Sequence, residues 1–150
     1  MKFFEKRKRD DYTIIIGCGR LGANLANALS NTGENVLIMD TAKESFRRLA
    51  SNYGGLSIVG DGMEFSQLKE AQIDRASAVV AVTNDDNTNI MVAQIAREMF
   101  NVRKVIARLY DPECEIVYHE LGIDTICPSV LSAKEIDKLL DIESETESFS

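Results

Sequence analysis

Cysteine, histidine and proline are scarce in this chain of 150 residues, which has three, one and two of them. The cysteines, Cys18, Cys114 and Cys127, are odd in number and widely separated. That spacing argues against a disulfide framework and for a reducing compartment. With a single histidine, His119, no His/Cys cluster has metal-ligand spacing. No apolar run approaches the ~20 residues of a membrane span, and the charged N-terminus lacks the apolar core of a signal peptide. A cytoplasmic location is the expectation. Positive charge is also in deficit, since 17 Lys and Arg face 24 Asp and Glu for a net charge of −7. An acidic chain repels nucleic-acid phosphates, so no nucleic-acid partner is expected. The one basic run, Lys6-Arg7-Lys8-Arg9, reads as a solvated tail, with an anionic membrane surface or acidic partner as the alternative.

Signatures of catalysis are missing too. The GxxxxGK[ST] loop is absent, Ser51, Ser57 and Ser66 lack a nucleophile-elbow context, and His119 falls at an expected helix end beside Glu120.

Alternating strand and helix patterns are present throughout. Apolar runs at 12–16, 36–39, 56–59, 78–82, 104–109 and 123–126 read as strands. Helices are expected at 20–31, from Thr41 onward, at 63–70, at 86–100, between Pro112 and Gly122, and over a last stretch that contains Ser132–Glu135 and runs to about 142. In the first helix Leu21, Leu25, Ala28 and Leu29 share a face, and Gly33 suits its C-terminal cap. Thr41 with Glu44, and Ser132 with Glu135, read as capping boxes. Asp111 and Pro112 supply an N-cap and an N1 proline. Strands apolar on both faces belong in a sheet covered on both sides. The expected fold class is α/β: a doubly wound parallel six-stranded sheet, the NAD(P)-binding Rossmann fold, in order 3-2-1-4-5-6. The domain is expected at residues 12–142, between a basic tail at 1–11 and an acidic, serine-rich tail at 143–150 whose composition predicts disorder.

The loop Gly17-Cys18-Gly19-Arg20-Leu21-Gly22 stands between the first strand and the first helix, the context a GxGxxG motif requires. Gly17 permits the tight turn, Gly19 lets the backbone approach a pyrophosphate, and Gly22 lets the helix pack on the strand. The helix N-terminus then faces the phosphates. Asp40 ends the second strand about twenty residues on, placed to accept hydrogen bonds from ribose hydroxyls, with Thr41 beside it. No arginine follows directly to receive a 2′-phosphate, which favours NAD(H), ATP, ADP or AMP over NADP. In Gly60-Asp61-Gly62, Asp61 reads either as an adenine contact or as a helix cap. Thr83 and Asn84 are candidates for the phosphate or ribose side. Arg20 is a candidate for a terminal phosphate, and Arg108 reads as facing an anion rather than bridging to Asp111. Cys18 reads as a small loop residue, with a helix-lowered pKa and redox sensitivity as the alternative. A dehydrogenase needs a further domain to hold its substrate, and the chain offers no segment for one. A nucleotide site without a chemistry site points to sensing.

The chain resembles the TrkA family N-terminal domain, also called the KTN or RCK N-domain. The residues that carry the resemblance are Ile14-Ile15-Ile16 with the glycine loop, Asp40, Gly60-Asp61-Gly62, the stretch from Ala81 through Thr83-Asn84-Asp85-Asp86 to Ile90, Val105-Ile106-Ala107-Arg108 with Tyr110-Asp111-Pro112, and Leu121-Gly122-Ile123-Asp124 with Cys127-Pro128. The resemblance implies a cytosolic regulatory subunit that gates a potassium transport system in response to NAD(H), ATP or ADP. It implies a homo-oligomer, a dimer and often a ring of such domains, peripheral to the inner face of the membrane through an integral-membrane potassium-translocating subunit. It implies no catalytic residue. By motif position, Gly17, Gly19 and Gly22 would hold phosphates and Asp40 ribose. Asp61 would lie near adenine, and Arg20 and Arg108 near phosphate or a neighbouring subunit. Family members commonly have alanine where Gly62 stands, which is expected to perturb little. They usually carry a C-terminal lobe, and the expectation is either that a separate chain supplies it or that this subunit works without it. The stripe Ala133, Ile136, Leu139 and Leu140 reads either as buried on the domain's own sheet or as packed on a partner subunit. An NAD-dependent oxidoreductase, or a fragment of one, is the alternative function, and a transcriptional sensor of NADH a third.

Overall fold

The computed structural model describes residues 11–141; the basic run at 6–9 and the tail at 143–150 lie outside them. Six strands, β1 (Tyr12–Ile16), β2 (Asn35–Asp40), β3 (Leu56–Val59), β4 (Ala78–Ala81), β5 (Lys104–Arg108) and β6 (Asp124–Ile126), form one sheet. All pairings are parallel and the order is β3-β2-β1-β4-β5-β6, as the βα alternation required. Alternate residues of the central strands feed two cores. Ile14, Ile16, Leu37, Met39, Val79 and Ala81 belong to one cluster, completed by α2 (Phe65–Glu70) and α3 (Asp86–Gln94). Ile15, Ile38, Val80 and Val82 belong to the other, under α1 (Arg20–Asn31). Ile14, Ile15 and Ile38 are wholly buried, as expected of strands covered on both faces.

Several local expectations are revised. The buried face of α1 is Gly22, Ala23 and Ala26, with Leu25 and Leu29 at its margins, while Leu21 and Ala28 are exposed. Small residues bring the helix axis close to the sheet, and the leucines then fall at the rim. Gly33 does cap α1: at φ +79° it donates to the Ser30 carbonyl, and Glu34 donates to Leu29, a Schellman end. The second helix is only a 3₁₀ turn, Lys43–Arg48, and Thr41 is not its cap; Asp40 accepts the Ala42 N–H instead. The strand-end aspartate reaches the first free donor before the threonine does. α2 starts at Phe65, two residues later than expected. α3 gives way after Gln94 to a π turn, Ile95–Met99.

A 3₁₀ turn opened by Asp111 and Pro112 leads into α4 (Glu115–Glu120), whose end at Gly122 is a second Schellman motif. α5 (Pro128–Leu139) starts at Cys127-Pro128, so Ser132 lies inside the helix and cannot cap it. No residue of α5 is buried, and Ile136, Leu139 and Leu140 are 54%, 77% and 63% exposed. The sheet of this chain does not cover that stripe. β3 is an edge strand and is largely exposed, because only β2 pairs with it. Among the described residues no helix is long and apolar enough to cross a membrane.

Candidate functional site

Chain connections leave β1 in opposite directions: β1 pairs with β2 on one side and β4 on the other. A crevice opens at the carboxyl ends of strands at such a switch point. Here it has a volume of about 410 Å³ and reaches from the glycine loop to the segments after β2, β3 and β4.

The glycine loop is shaped by three different constraints. Gly17 sits at φ +109°, and a Cβ there would lie 2.9 Å from the Thr83 nitrogen, so the first turn is pressed against the loop after β4. A Cβ on Gly22 would stand 1.9 Å from the Gly17 carbonyl oxygen, which is why α1 starts so close to β1. Around Gly19 nothing lies within 4 Å of a built Cβ. Gly19 lines the crevice and is the N-cap position of α1, with no side chain satisfying the helix's first N–H groups. Those donors and the positive end of the helix dipole face open space.

Asp40 stands beside this loop. Its Oδ2 accepts the Cys18 N–H at 2.8 Å and its Oδ1 accepts the Ala42 N–H at 2.8 Å. The carboxylate is thereby fixed in orientation, and each oxygen keeps a second lone pair for further donors. Asp40, Thr41, Asp61 and Gly62 all line the crevice, as do Cys18, Thr83 and Asn84. Asp61 Oδ1 accepts the Met63 N–H at 2.9 Å, closing a turn two residues long; it does not cap α2, which starts at Phe65. A Cβ on Gly62 would lie 2.6 Å from Ile16 Cγ2 and 3.2 Å from Val92 Cγ2. The site is therefore packed tighter than the expected tolerance for alanine allows.

Cys18 is wholly buried, and its thiol donates to the Ser45 carbonyl at 3.3 Å. Burial, and next the Asp40 carboxylate, push its pKa up, with Arg48 partly opposing. Burial and the neighbouring carboxylate thus act against the alternative of a readily ionised thiol.

Arg20, Leu21, Gly22 and Arg108 do not line the crevice. Arg20 and Leu21 point outward from the first turn of α1, and Gly22 is buried beneath it. Arg108 is turned inward, where one guanidinium nitrogen donates to the carbonyls of Val82 at 2.9 Å and Thr83 at 2.7 Å. It also stacks on Tyr110, 5.4 Å from the ring centre. The expected need of this cation for an anion is met by carbonyl oxygens, so Arg108 braces the loop after β4 instead of lining its open side.

Sequence reasoning passed over four contributors. Ser45 and Arg48 line the crevice from the 3₁₀ turn after β2. Asp85 lines it as the N-cap of α3, and Asn89 is fully buried behind Thr83. The Asp85-x-x-Thr88 pattern was visible as a cap; the inward turn of Asn89 was not. His119 is exposed in the last turn of α4. Among the described residues no group of His, Cys, Asp or Glu could hold a metal ion.

Comparison with known proteins bears on the family and the fold. The TrkA-N domain family matches residues 13–129. The Trk system potassium uptake protein TrkA of Streptomyces coelicolor is 47% identical over 115 residues, covering 77% of this chain and 52% of that protein. The chain thus spans about half the length of that curated relative. The TrkA-N domain of the inner membrane protein ybaL from Escherichia coli superposes with a TM-score of 0.77, covering 87% of this chain and 96% of that one; at 17% identity the likeness is one of fold. The GsuK channel bound to NAD superposes with a TM-score of 0.74 at 26% identity, over 88% of this chain and 23% of that one. GsuK bound to ADP gives a TM-score of 0.74 at 25% identity, over 93% of this chain and 36% of that one.

Proposed function

The chain belongs to the TrkA-N domain family, and from that premise we propose that it is a nucleotide-binding regulatory unit of a potassium transport system. It binds NAD(H) or an adenine mononucleotide (ATP, ADP or AMP) in the crevice beside β1 and performs no turnover. The observation that carries the reading is the pairing of the uncovered α1 N-terminus at Gly19 with the oriented Asp40 carboxylate. One end suits a phosphate and the other suits ribose hydroxyls. The names of the relatives cited above, TrkA and GsuK, are those of a potassium uptake protein and a channel, not of enzymes.

In this reading Gly17, Gly19 and the first N–H groups of α1 hold the phosphates, Asp40 holds ribose, and Asp61 lies at the base end. Thr83 and Asn84 close the phosphate side. Ligand on Thr83 and Asn84 bears on Arg108 and, through Asp86, on the segment after β5. Asp86 accepts the N–H groups of Tyr110, at 2.9 Å and 3.0 Å, and of Asp111, at 3.2 Å. The next element is α4, where Ile116 and Val117 are exposed, followed by the bare stripe of α5. These apolar faces support assembly with further copies of the domain and with a membrane-embedded transport subunit on the cytoplasmic side. Regulation then follows from different nucleotide affinities in two assembled shapes.

The test is calorimetric titration with NADH, ATP, ADP and AMP. Asp40→Ala is expected to weaken the tightest of them by about 1.5–3 kcal/mol, the value of a charge-assisted hydrogen bond. Undiminished affinity in that variant removes the ribose role, and NADH oxidation with a carbonyl substrate would replace regulation by catalysis.

A further inference from the structure

A second recess lies at the far end of the sheet. At the amino ends of β1, β2 and β3, away from the crevice, a groove of about 550 Å³ runs between the strand starts and the last residues of α2. α2 is only six residues long and ends on the rim at Glu70, and β3 has no strand beyond it, so this corner of the sheet lacks cover. The floor is apolar: Val36 and Leu37 are buried, Tyr12 and Ile58 are half-buried, and Leu56 is 65% exposed. The rim is acidic: Asp11, Glu34 and Glu70 are exposed, and no Lys, Arg or His is among the described residues that line the groove. Two cations stand just outside it. Lys69 lies over the Phe65 ring, 5.2 Å from its centre, and Arg75 donates to Gln72 Oε1 at 3.3 Å. They temper the rim, so charge alone does not name an occupant.

Chain continuity does. Asp11 is on the rim and Tyr12 in the floor, so residues 1–10, which lie outside the described residues, join the fold at the groove itself. That segment pairs two aromatics, Phe3-Phe4, with the basic run Lys6-Arg7-Lys8-Arg9. It holds five of the 17 Lys and Arg but two of the 24 Asp and Glu, which leaves 12 against 22 in the rest of the chain. The basic run stands two to five residues before Asp11, within about 18 Å of it even when extended. β3 is two strand spacings from β1, about 10 Å, and the seven residues from Phe4 to Asp11 can span about twice that. Tethering keeps the run at high effective concentration beside the rim, so ion pairs that are weak one by one act together.

We propose that the groove is the seat of the chain's own N-terminal segment: Phe3-Phe4 cover the apolar floor around Leu56, and Lys6 to Arg9 lie along the carboxylates of Glu34 and Glu70. The acidic partner of the basic run is then its own domain. This seat is independent of any ligand in the crevice.

The experiment is trypsin digestion of the full chain at low salt, read as the rate of cleavage within residues 6–9, beside a synthetic peptide of residues 1–14 under the same conditions. The chain is expected to be cut on the order of tenfold more slowly than the peptide, because cleavage follows the undocked population. Glu34→Gln combined with Glu70→Gln, and separately Leu56→Ser, all at exposed positions, are expected to restore most of the peptide's rate while the thermal midpoint is kept. Potassium chloride at about 0.5 M is expected to act like the carboxylate changes, relative to the peptide, by screening. Carbodiimide coupling, which joins amines to carboxylates in contact, is expected to link Lys6 or Lys8 to Glu34 or Glu70 within one chain. Equal rates for chain and peptide overturn the docking and leave a solvated tail. Protection that survives both sets of changes, or links only to other carboxylates, overturns the groove as its seat. Links that join ¹⁴N-labelled to ¹⁵N-labelled chains in a mixed sample overturn the intramolecular occupant in favour of a second copy.

Discussion

Asn89 holds Thr83 from both sides of its backbone. Its Oδ1 accepts the Thr83 N–H at 2.8 Å and the Thr83 hydroxyl at 2.7 Å, and its Nδ2 donates to the Thr83 carbonyl at 3.1 Å. The same Nδ2 donates to the Arg108 carbonyl at 2.9 Å, so one fully buried amide ties the crevice loop to β5. Buried polar groups left without partners are costly. Asn89→Ala orphans several at once and is expected to lower stability by about 2–3 kcal/mol. Urea unfolding measures this, and a loss under about 1 kcal/mol would show the loop to be held by other contacts.

Gly19 and Gly22 are three residues apart and should respond in opposite ways. The Gly19 backbone (φ −82°, ψ −164°) suits a β-branched residue, and nothing crowds its Cβ direction. Gly19→Val is expected to fold cooperatively and to lose nucleotide binding, because its methyls fill the space over the helix N-terminus. Gly22→Ala drives a Cβ into the Gly17 carbonyl and is expected to cost at least about 3 kcal/mol. Thermal melts with and without ligand separate the two.

At Gly62 a methyl group meets Ile16 and Val92. Gly62→Ala is expected to destabilise by about 1–3 kcal/mol as an overpacked core site. Equal midpoints for Gly62→Ala and the unaltered chain would mean that β1 shifts to make room.

The thiol of Cys18 gives a pH dependence with a definite sign. Its folded-state pKa is raised above the ordinary 9.0, so the contribution is complete below that value and is lost as pH rises through the folded pKa. Tyr53, pushed up to about 12 chiefly by burial, adds the same slope above its ordinary 10.0. Cys18→Ala is expected to flatten the fall in stability as pH rises above the ordinary thiol value of 9.0. In the native chain a thiol reagent should modify the partly exposed Cys114 well before the buried Cys18. First reaction at Cys18 would contradict the burial argument.

Much of this molecule is decided by short-range pattern. The apolar strands fix what must be buried, and the βα rhythm with right-handed crossovers leaves few sheet orders, of which the observed one is the expected one. Gly17, Gly19, Gly22 and Asp40 could be placed because their neighbours along the chain supply their context: strand before, helix after, acid at the next strand end. What the tertiary structure alone decided depends on residues far apart in sequence. Arg108 turns toward the Val82 and Thr83 carbonyls because β5 lies beside β4, and no spacing rule reports that. Asn89 faces inward, fully buried, where the N–H, hydroxyl and carbonyl of Thr83 meet its amide. Thr41 lost its expected role to Asp40, and Gly62 its expected tolerance to Ile16, through contacts that exist only once the strands are assembled. The sequence settles which groups need partners; which partner each finds is a matter of distance across the folded sheet.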